Sequence, residues 1–333
     1  MGERRMVSDR DKFETQLLRI DAPQTGATPL GLHEMRPPSG DRRLPPVLLL
    51  HGATFAAALF DLPRPGYSLM AALAAAGRAV YALDVRGYGT SVGGVMDQPP
   101  QTHPPFAGVE EAVQDIAAAV SFICRRRVTP AVDLVGFSWS TILAARYAGA
   151  HPQTVRRVAL YAPLFAERNR PWLDRIADAR DRNRLAPAFG AHRLVTAASV
   201  VERWNNDLPG GDPELFREDG IAELVFETLA ALDPRSPLQA PRAFRCPNGA
   251  LADLVEVFNG RPLYDPARLS MPVLLVRGAQ DTTSTATDAQ RLLEAIASPV
   301  KRYRVIAPGS HFLCIERNRA RLYDELNDFL APE

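Results

Sequence analysis

The stretch Val132-Asp133-Leu134-Val135-Gly136-Phe137-Ser138-Trp139-Ser140-Thr141-Ile142-Leu143-Ala144 carries the decision about the fold. Its first four residues have the length and apolarity of a buried strand, and helical spacing begins at Trp139. Gly136, Phe137 and Ser138 are all that is left for the turn. A serine at so tight a strand-to-helix turn is held in a strained backbone conformation. That conformation lifts its hydroxyl above the sheet, beside the first free N–H groups of the helix. Gly136 is expected there because a side chain would collide with neighbouring strands. Taken alone, the stretch leaves open a plain serine N-cap.

Outward from this stretch, other apolar runs of strand length recur at Val47–Leu50, Ala79–Leu83 and Val158–Tyr161. Helical spacing separates them at Tyr67–Ala76, Val109–Arg126 and Thr141–Ala150. Nearly continuous apolar strands alternating with helices predict an α/β fold, a doubly wound and mostly parallel sheet with both faces covered. Thr15–Ile20 and Leu30–Met35 read as two weaker edge strands joined by a turn near Ala22–Pro29. Strands resume at Val273–Val276 and Arg302–Ile306, and a last helix is expected over Arg319–Leu330. Between Leu164 and Arg268 no buried strand is evident. Prolines, charges and scattered aromatics dominate, and Ile221, Leu224, Val225, Leu229 and Leu232 follow the spacing of an amphipathic helix. Asp212 and Pro213 suit a helical cap and first turn. A segment this long is no loop. The expected division is therefore a core of residues 1–163 and 268–333 with a helical cap, 164–267, inserted after the sixth strand.

Composition narrows the classes of function. The 333 residues carry a net charge of +1 and are 46% hydrophobic, which leaves no electrostatic reason to expect nucleic acid or an anionic membrane as partner. No run approaches a membrane span, and the charged stretch Met1–Arg10 lacks the apolar core of a secretory signal, so a cytoplasmic location is expected. Cys124, Cys246 and Cys314 are too scattered for a disulfide framework or a metal site. His33, His103, His151 and His192 stand in no ligand spacing, and no dinucleotide fingerprint follows a first strand, so no metal and no cofactor is expected.

Chemistry is expected where strands end. Val47-Leu-Leu-Leu-His51-Gly52-Ala53-Thr54 ends a buried strand in His-Gly, from which backbone N–H groups can converge. Ala53 N–H and Trp139 N–H are the candidate donors to an oxyanion, with Thr54 as a possible addition and His51 itself structural. Asp281 follows the strand Val273–Val276, and His311 follows Arg302–Ile306. In a parallel sheet all strand carboxyl ends share one edge, so Ser138, Asp281 and His311 should meet there as nucleophile, orienting acid and base. Phe165, Trp172, Trp204, Phe226 and Phe258 either hold the insertion together or line an acyl pocket.

These motifs resemble those of the α/β-hydrolase fold superfamily, in its serine esterase-like members with a helical cap. The resemblance covers roughly Thr15–Pro163 and Arg268–Leu330. It includes Asp84-Val-Arg86-Gly87-Tyr-Gly89-Thr-Ser91, similar to a frequent D-x-R-G-x-G-x-S turn and read as architectural. The usual G-x-S-x-G elbow is departed from at Ser140. The resemblance implies a serine hydrolase of carboxylesterase type, cleaving carboxylic esters, thioesters or lactones through an acyl-enzyme on Ser138. The partner expected is a small, apolar acyl substrate; the oligomeric state is left open. Ser138-Trp139-Ser140-Thr141 also resembles the elbow of proline iminopeptidases, for which Glu202 and Asp207 would have to meet the substrate amine. A non-hydrolytic binding protein or lyase on the same fold is the third reading.

Overall fold

The apolar runs of the sequence assemble into one sheet. The computed structural model describes residues 12–21, 29–37, 44–208 and 212–332. Met1–Arg10 and most of the expected turn at Ala22–Pro29 lie outside the described residues. In chain order the first strands are β1 (Glu14–Ile20), β2 (Leu30–Arg36), β3 (Val47–Leu50), β4 (Val80–Leu83), β5 (Val132–Phe137) and β6 (Val155–Tyr161). After a long excursion β9 (Val273–Gly278) and β10 (Lys301–Ile306) complete an eight-stranded sheet, ordered β1-β2-β4-β3-β5-β6-β9-β10. β1, β2 and β4 pair antiparallel, and from β4 to β10 every pairing is parallel.

The covering helices follow from the crossover rule. α1 (Leu69–Ala75) links β3 to β4 in one direction, and α2 (Val109–Arg127) carries the chain back past β3 to β5. Right-handed crossovers that reverse direction change face, so α1 and α2 lie on opposite sides. α3 (Trp139–Ala150), which links β5 to β6, packs with α2. α9 (Arg319–Leu330) closes the chain against α1. The point where strand order reverses lies between β3 and β5, and their carboxyl ends open the crevice in which such sheets bind ligands.

Between β6 and β9 lie α4 (Arg170–Ile176), β7 (His192–Thr196), α5 (Ala197–Asn205), α6 (Ile221–Ala230), β8 (Ala243–Pro247) and α7 (Gly249–Phe258). The expectation of no strand here is wrong. β7 and β8 pair antiparallel, from His192 opposite Pro247 to Thr196 opposite Ala243, and β8 is buried throughout. Arg245 and Pro247 interrupt the apolar run of β8, which hid it. Arg245 is buried because Asp233 accepts its guanidinium at 2.6 Å. Asp212 caps the short turn Pro213–Leu215, and α6 carries the Ile221–Leu229 stripe against the core. α8 (Ala286–Ala295) follows β9, capped by Thr285. No helix among the described residues is long and apolar enough to cross a membrane.

Candidate active site

β5 runs fully buried into Phe137, and α3 starts at Trp139, so Ser138 alone makes the turn at φ 55° and ψ −120°. For a non-glycine residue this left-handed region costs on the order of 1–3 kcal/mol. Gly136 makes the turn possible, though by a different contact from the one expected. A Cβ there would lie 2.4 Å from the Ser140 carbonyl oxygen and 3.1 Å from Ala144 Cβ. The collision is thus with α3, not with adjacent strands: the glycine lets the helix double back tightly over its own strand.

The structure brings Ser138, His311 and Asp281 together. Ser138 Oγ donates to His311 Nε2 at 2.8 Å, and His311 Nδ1 donates to Asp281 Oδ2 at 2.9 Å. The other oxygen of Asp281 accepts the Thr283 and Ser284 N–H groups, each at 2.8 Å, so the carboxylate cannot rotate freely. His311 is seated by Tyr161, whose hydroxyl donates to its carbonyl at 2.8 Å, and by the Phe137 ring 5.2 Å away. All three side chains are buried, with Ser138 6% exposed. A carboxylate can only accept, so the imidazole carries its proton on Nδ1 and leaves Nε2 free to take the serine proton.

The backbone donors are placed by the neighbouring strand. Val85 N–H donates to His51 Nε2, and His51 Nδ1 donates to the Gly52 carbonyl at 2.9 Å. Both ring nitrogens are therefore used within the structure, and burial pushes the His51 pKa down. In a trans peptide the N–H points opposite the carbonyl. By holding the Gly52 carbonyl, His51 fixes the direction of Ala53 N–H. Gly52 lies flat against the elbow: a Cβ on it would stand 3.3 Å from Ser138 Cβ. Trp139 N–H, at the first helical position, has no intrahelical acceptor. Ser140, where glycine is usual, donates its hydroxyl to the His51 carbonyl and so ties the elbow to the strand end carrying Ala53.

Asp84 and Arg86 act as braces. Asp84 accepts from Ala57 N–H, from Thr90 and from His33. Arg86 forks onto Asp115 at 2.7 and 3.0 Å. The buried Trp139 indole donates to Asp253 of α7 at 2.8 Å, and burial pushes the Asp253 carboxyl up to about 7.

Ser138, Ala53, Thr54 and His311 line a cavity of about 30 Å³, with Phe55, Trp172 and Phe312 among its walls. That is space for roughly one or two waters. Of the aromatics singled out in the sequence, Trp172 reaches this cavity. Trp204 packs on Phe312, Phe226 on Phe244 and Phe165 on Tyr264. Sequence reasoning missed Arg203, which lies over Phe312 at 5.1 Å and pairs with Asp207. Burial would raise the Asp207 carboxyl, but Arg203 and the nearby His311 hold it below the ordinary range. Asp207 also accepts from Thr282 and Thr283, the residues directly after Asp281.

Comparisons with known proteins agree with this architecture. The fold is similar to that of a bromoperoxidase from Bacillus anthracis, at 18% identity and a TM-score of 0.61 over 95% of this chain and 99% of the other. An esterase from Thermogutta terrifontis matches at 18% identity and a TM-score of 0.57, over 95% and 98%. A 2-hydroxy-6-oxo-6-phenylhexa-2,4-dienoate hydrolase from Rhodococcus sp. strain RHA1 matches at 21% identity and 0.62, over 96% and 100%. At such identities these likenesses speak for the fold alone, and no curated protein sequence matches the chain. The model of the alpha/beta hydrolase family matches residues 47–325, and the chain belongs to that family.

Proposed function

We propose that the protein is a serine hydrolase of carboxylesterase type, acting on esters and the related thioesters or lactones through an acyl-enzyme. The observation that carries this reading is the continuous hydrogen-bonded chain from Ser138 Oγ through His311 to Asp281. Ser138 attacks the scissile carbonyl while His311 Nε2 takes its proton, and Asp281 stabilises the imidazolium. The carbonyl oxygen becomes an oxyanion and meets the N–H groups of Ala53 and Trp139, each worth about 3–4 kcal/mol in the transition state. Collapse of the tetrahedral intermediate expels the alcohol, which leaves with the proton from His311. Water, deprotonated by the same nitrogen, then attacks the acyl-enzyme and releases the acid.

Phe55, Trp172 and Phe312 give the reacting end of the substrate apolar walls. The iminopeptidase reading needs carboxylates turned toward a substrate ammonium. Asp207 is committed to Arg203, Thr282 and Thr283 instead, and Glu202 shares its cavity wall with three arginines. Retention of every member of the hydrogen-bonded chain speaks against a purely ligand-binding protein. A fluorophosphonate should label wild-type protein at Ser138, and Ser138→Ala should abolish the label together with turnover of p-nitrophenyl esters. A folded wild-type protein that takes no label refutes the proposal.

A further inference from the structure

Next to the Ser138 cavity lies a second, larger one of about 430 Å³. The two share Thr54, Trp172 and Arg203 in their linings, so they adjoin at these three side chains. The outer wall is charged in an unbalanced way. Arg175, Arg193 and Arg203 line it, against the single carboxylate of Glu202.

Two of the three arginines, Arg175 and Arg193, pair with no carboxylate among the described residues. Arg193 donates to four neutral acceptors: the Pro247 and Ala53 carbonyls, Asn248 Oδ1 and Thr54 Oγ1. Arg175 is exposed, has its guanidinium 5.9 Å from the Trp172 ring centroid, and pairs with no carboxylate among the described residues. Arg203 does have an ionic partner, Asp207, and a second acceptor in Thr283 Oγ1 at 3.1 Å. Its guanidinium is 4.8 Å from the Trp172 ring centroid, and its remaining donors have no acceptor among the described residues. Trp172 is thus approached by two cations at the boundary between the cavities.

We infer that the outer cavity recognises a carboxylate carried by the substrate at the end remote from the scissile bond. The substrate class is then a half ester of a dicarboxylic acid, or a related acyl compound with a distal acid. Its carbonyl lies at Ser138, its apolar stem passes Trp172, and its carboxylate is received by Arg175 and Arg203. A guanidinium matches a carboxylate with two parallel charge-assisted hydrogen bonds, which a neutral ester group cannot return. The inference rests on Ser138 as the nucleophile, since that fixes which end of the ligand lies in the inner cavity.

The test uses Ser138→Ala protein, in which the esters stay intact. Calorimetric titration compares monomethyl adipate and monomethyl suberate with the corresponding dimethyl diesters. At least one half ester should bind about tenfold or more tightly than its diester, and Arg175→Gln in the same background should remove most of that selectivity. Arg175 is exposed and holds no ion pair among the described residues, so this variant leaves the fold in place. Equal affinity of the two ester classes, no binding of either half ester at millimolar concentration, or undiminished selectivity in Arg175→Gln overturns the inference. Fluorophosphonate labelling of the wild type separates the two claims. Labelling at Ser138 without half-ester selectivity sinks only the anion site, whereas selective binding without labelling sinks the hydrolase reading.

Discussion

Replacing Ser140 tests whether the elbow and the oxyanion strand act as one unit. Ser140 and His51 are both fully buried, and the hydroxyl of one donates to the carbonyl of the other. Ser140→Ala removes the donor and leaves the buried carbonyl without it, at a cost of about 1–3 kcal/mol. In a chain of this size that lowers Tm by about 2 °C per kcal/mol, hence by about 2–6 °C. Ser140→Gly restores the usual elbow pattern, yet it loses the same bond and a further ~0.5 kcal/mol of helix propensity. Activity should fall as well. The tie joins the strand end that carries Ala53 N–H to the helix start that carries Trp139 N–H. If slackening it forfeits about a third of one donor's transition-state contribution, kcat drops about tenfold. KM should hardly move, because the ground-state ester has no oxyanion to lose. Thermal unfolding by circular dichroism and steady-state kinetics on a p-nitrophenyl ester measure both effects. Wild-type Tm and kcat in Ser140→Ala, or a loss confined to KM, refute the reasoning.

Two further perturbations address the site from other sides. In Asp281→Asn the oxygen that accepts the Thr283 and Ser284 N–H groups can remain, which turns the amide NH2 toward His311 Nδ1 and forces the proton to Nε2. Esterase kcat should then fall about 10⁴-fold at unchanged KM, and a drop smaller than about tenfold contradicts the assigned tautomer. Asp253 concerns stability: burial raises its carboxyl from 3.8 to about 7, against the opposing hydrogen bond from Trp139. A folded-state pKa above the unfolded one means the unfolded chain releases this proton first as pH rises. The group therefore withdraws stability between about pH 4 and pH 7, by up to about 4 kcal/mol. Urea unfolding should show Asp253→Asn losing less stability than wild type between about pH 4 and pH 7, and parallel profiles would rule the shift out.

What was legible in the sequence was whatever depends on short-range pattern. Val47–Leu50 and Val273–Val276 announce themselves because a strand buried on both faces must be apolar at every position. Ser138 and Asp281 each follow such a strand and His311 follows the exposed edge strand β10, and they were placed together because a parallel sheet brings all those ends to one edge. Gly136 was recognised as necessary for the wrong reason: its constraint comes from α3 folding back, a contact that strand patterning does not contain. β8 escaped because Arg245 breaks its apolar run, and Arg245 is tolerable only through its pairing with Asp233, twelve residues upstream. Arg203 escaped for a related reason. Nothing local distinguishes it from the many other arginines, and its meaning comes from Trp172, Asp207 and Phe312, which tertiary folding alone brings around it.

The same contacts alter the view of the segment between β6 and β9. A lid that merely covers a site could be exchanged without touching the chemistry beneath. Here the Ala53 carbonyl accepts from Tyr88 of the core at 3.0 Å, but also from Arg193 of β7 at 3.1 Å and from Cys246 of β8 at 3.3 Å. The peptide before Ala53 is fixed by His51, and the peptide after it is fixed largely by the insertion. Asp207, close behind α5, likewise grips Thr282 and Thr283 beside Asp281. The insertion therefore holds both the Ala53 peptide, proposed as an oxyanion donor, and the loop that carries Asp281. A change there aimed at substrate preference will alter kcat too, unless it spares Arg193, Cys246 and Asp207.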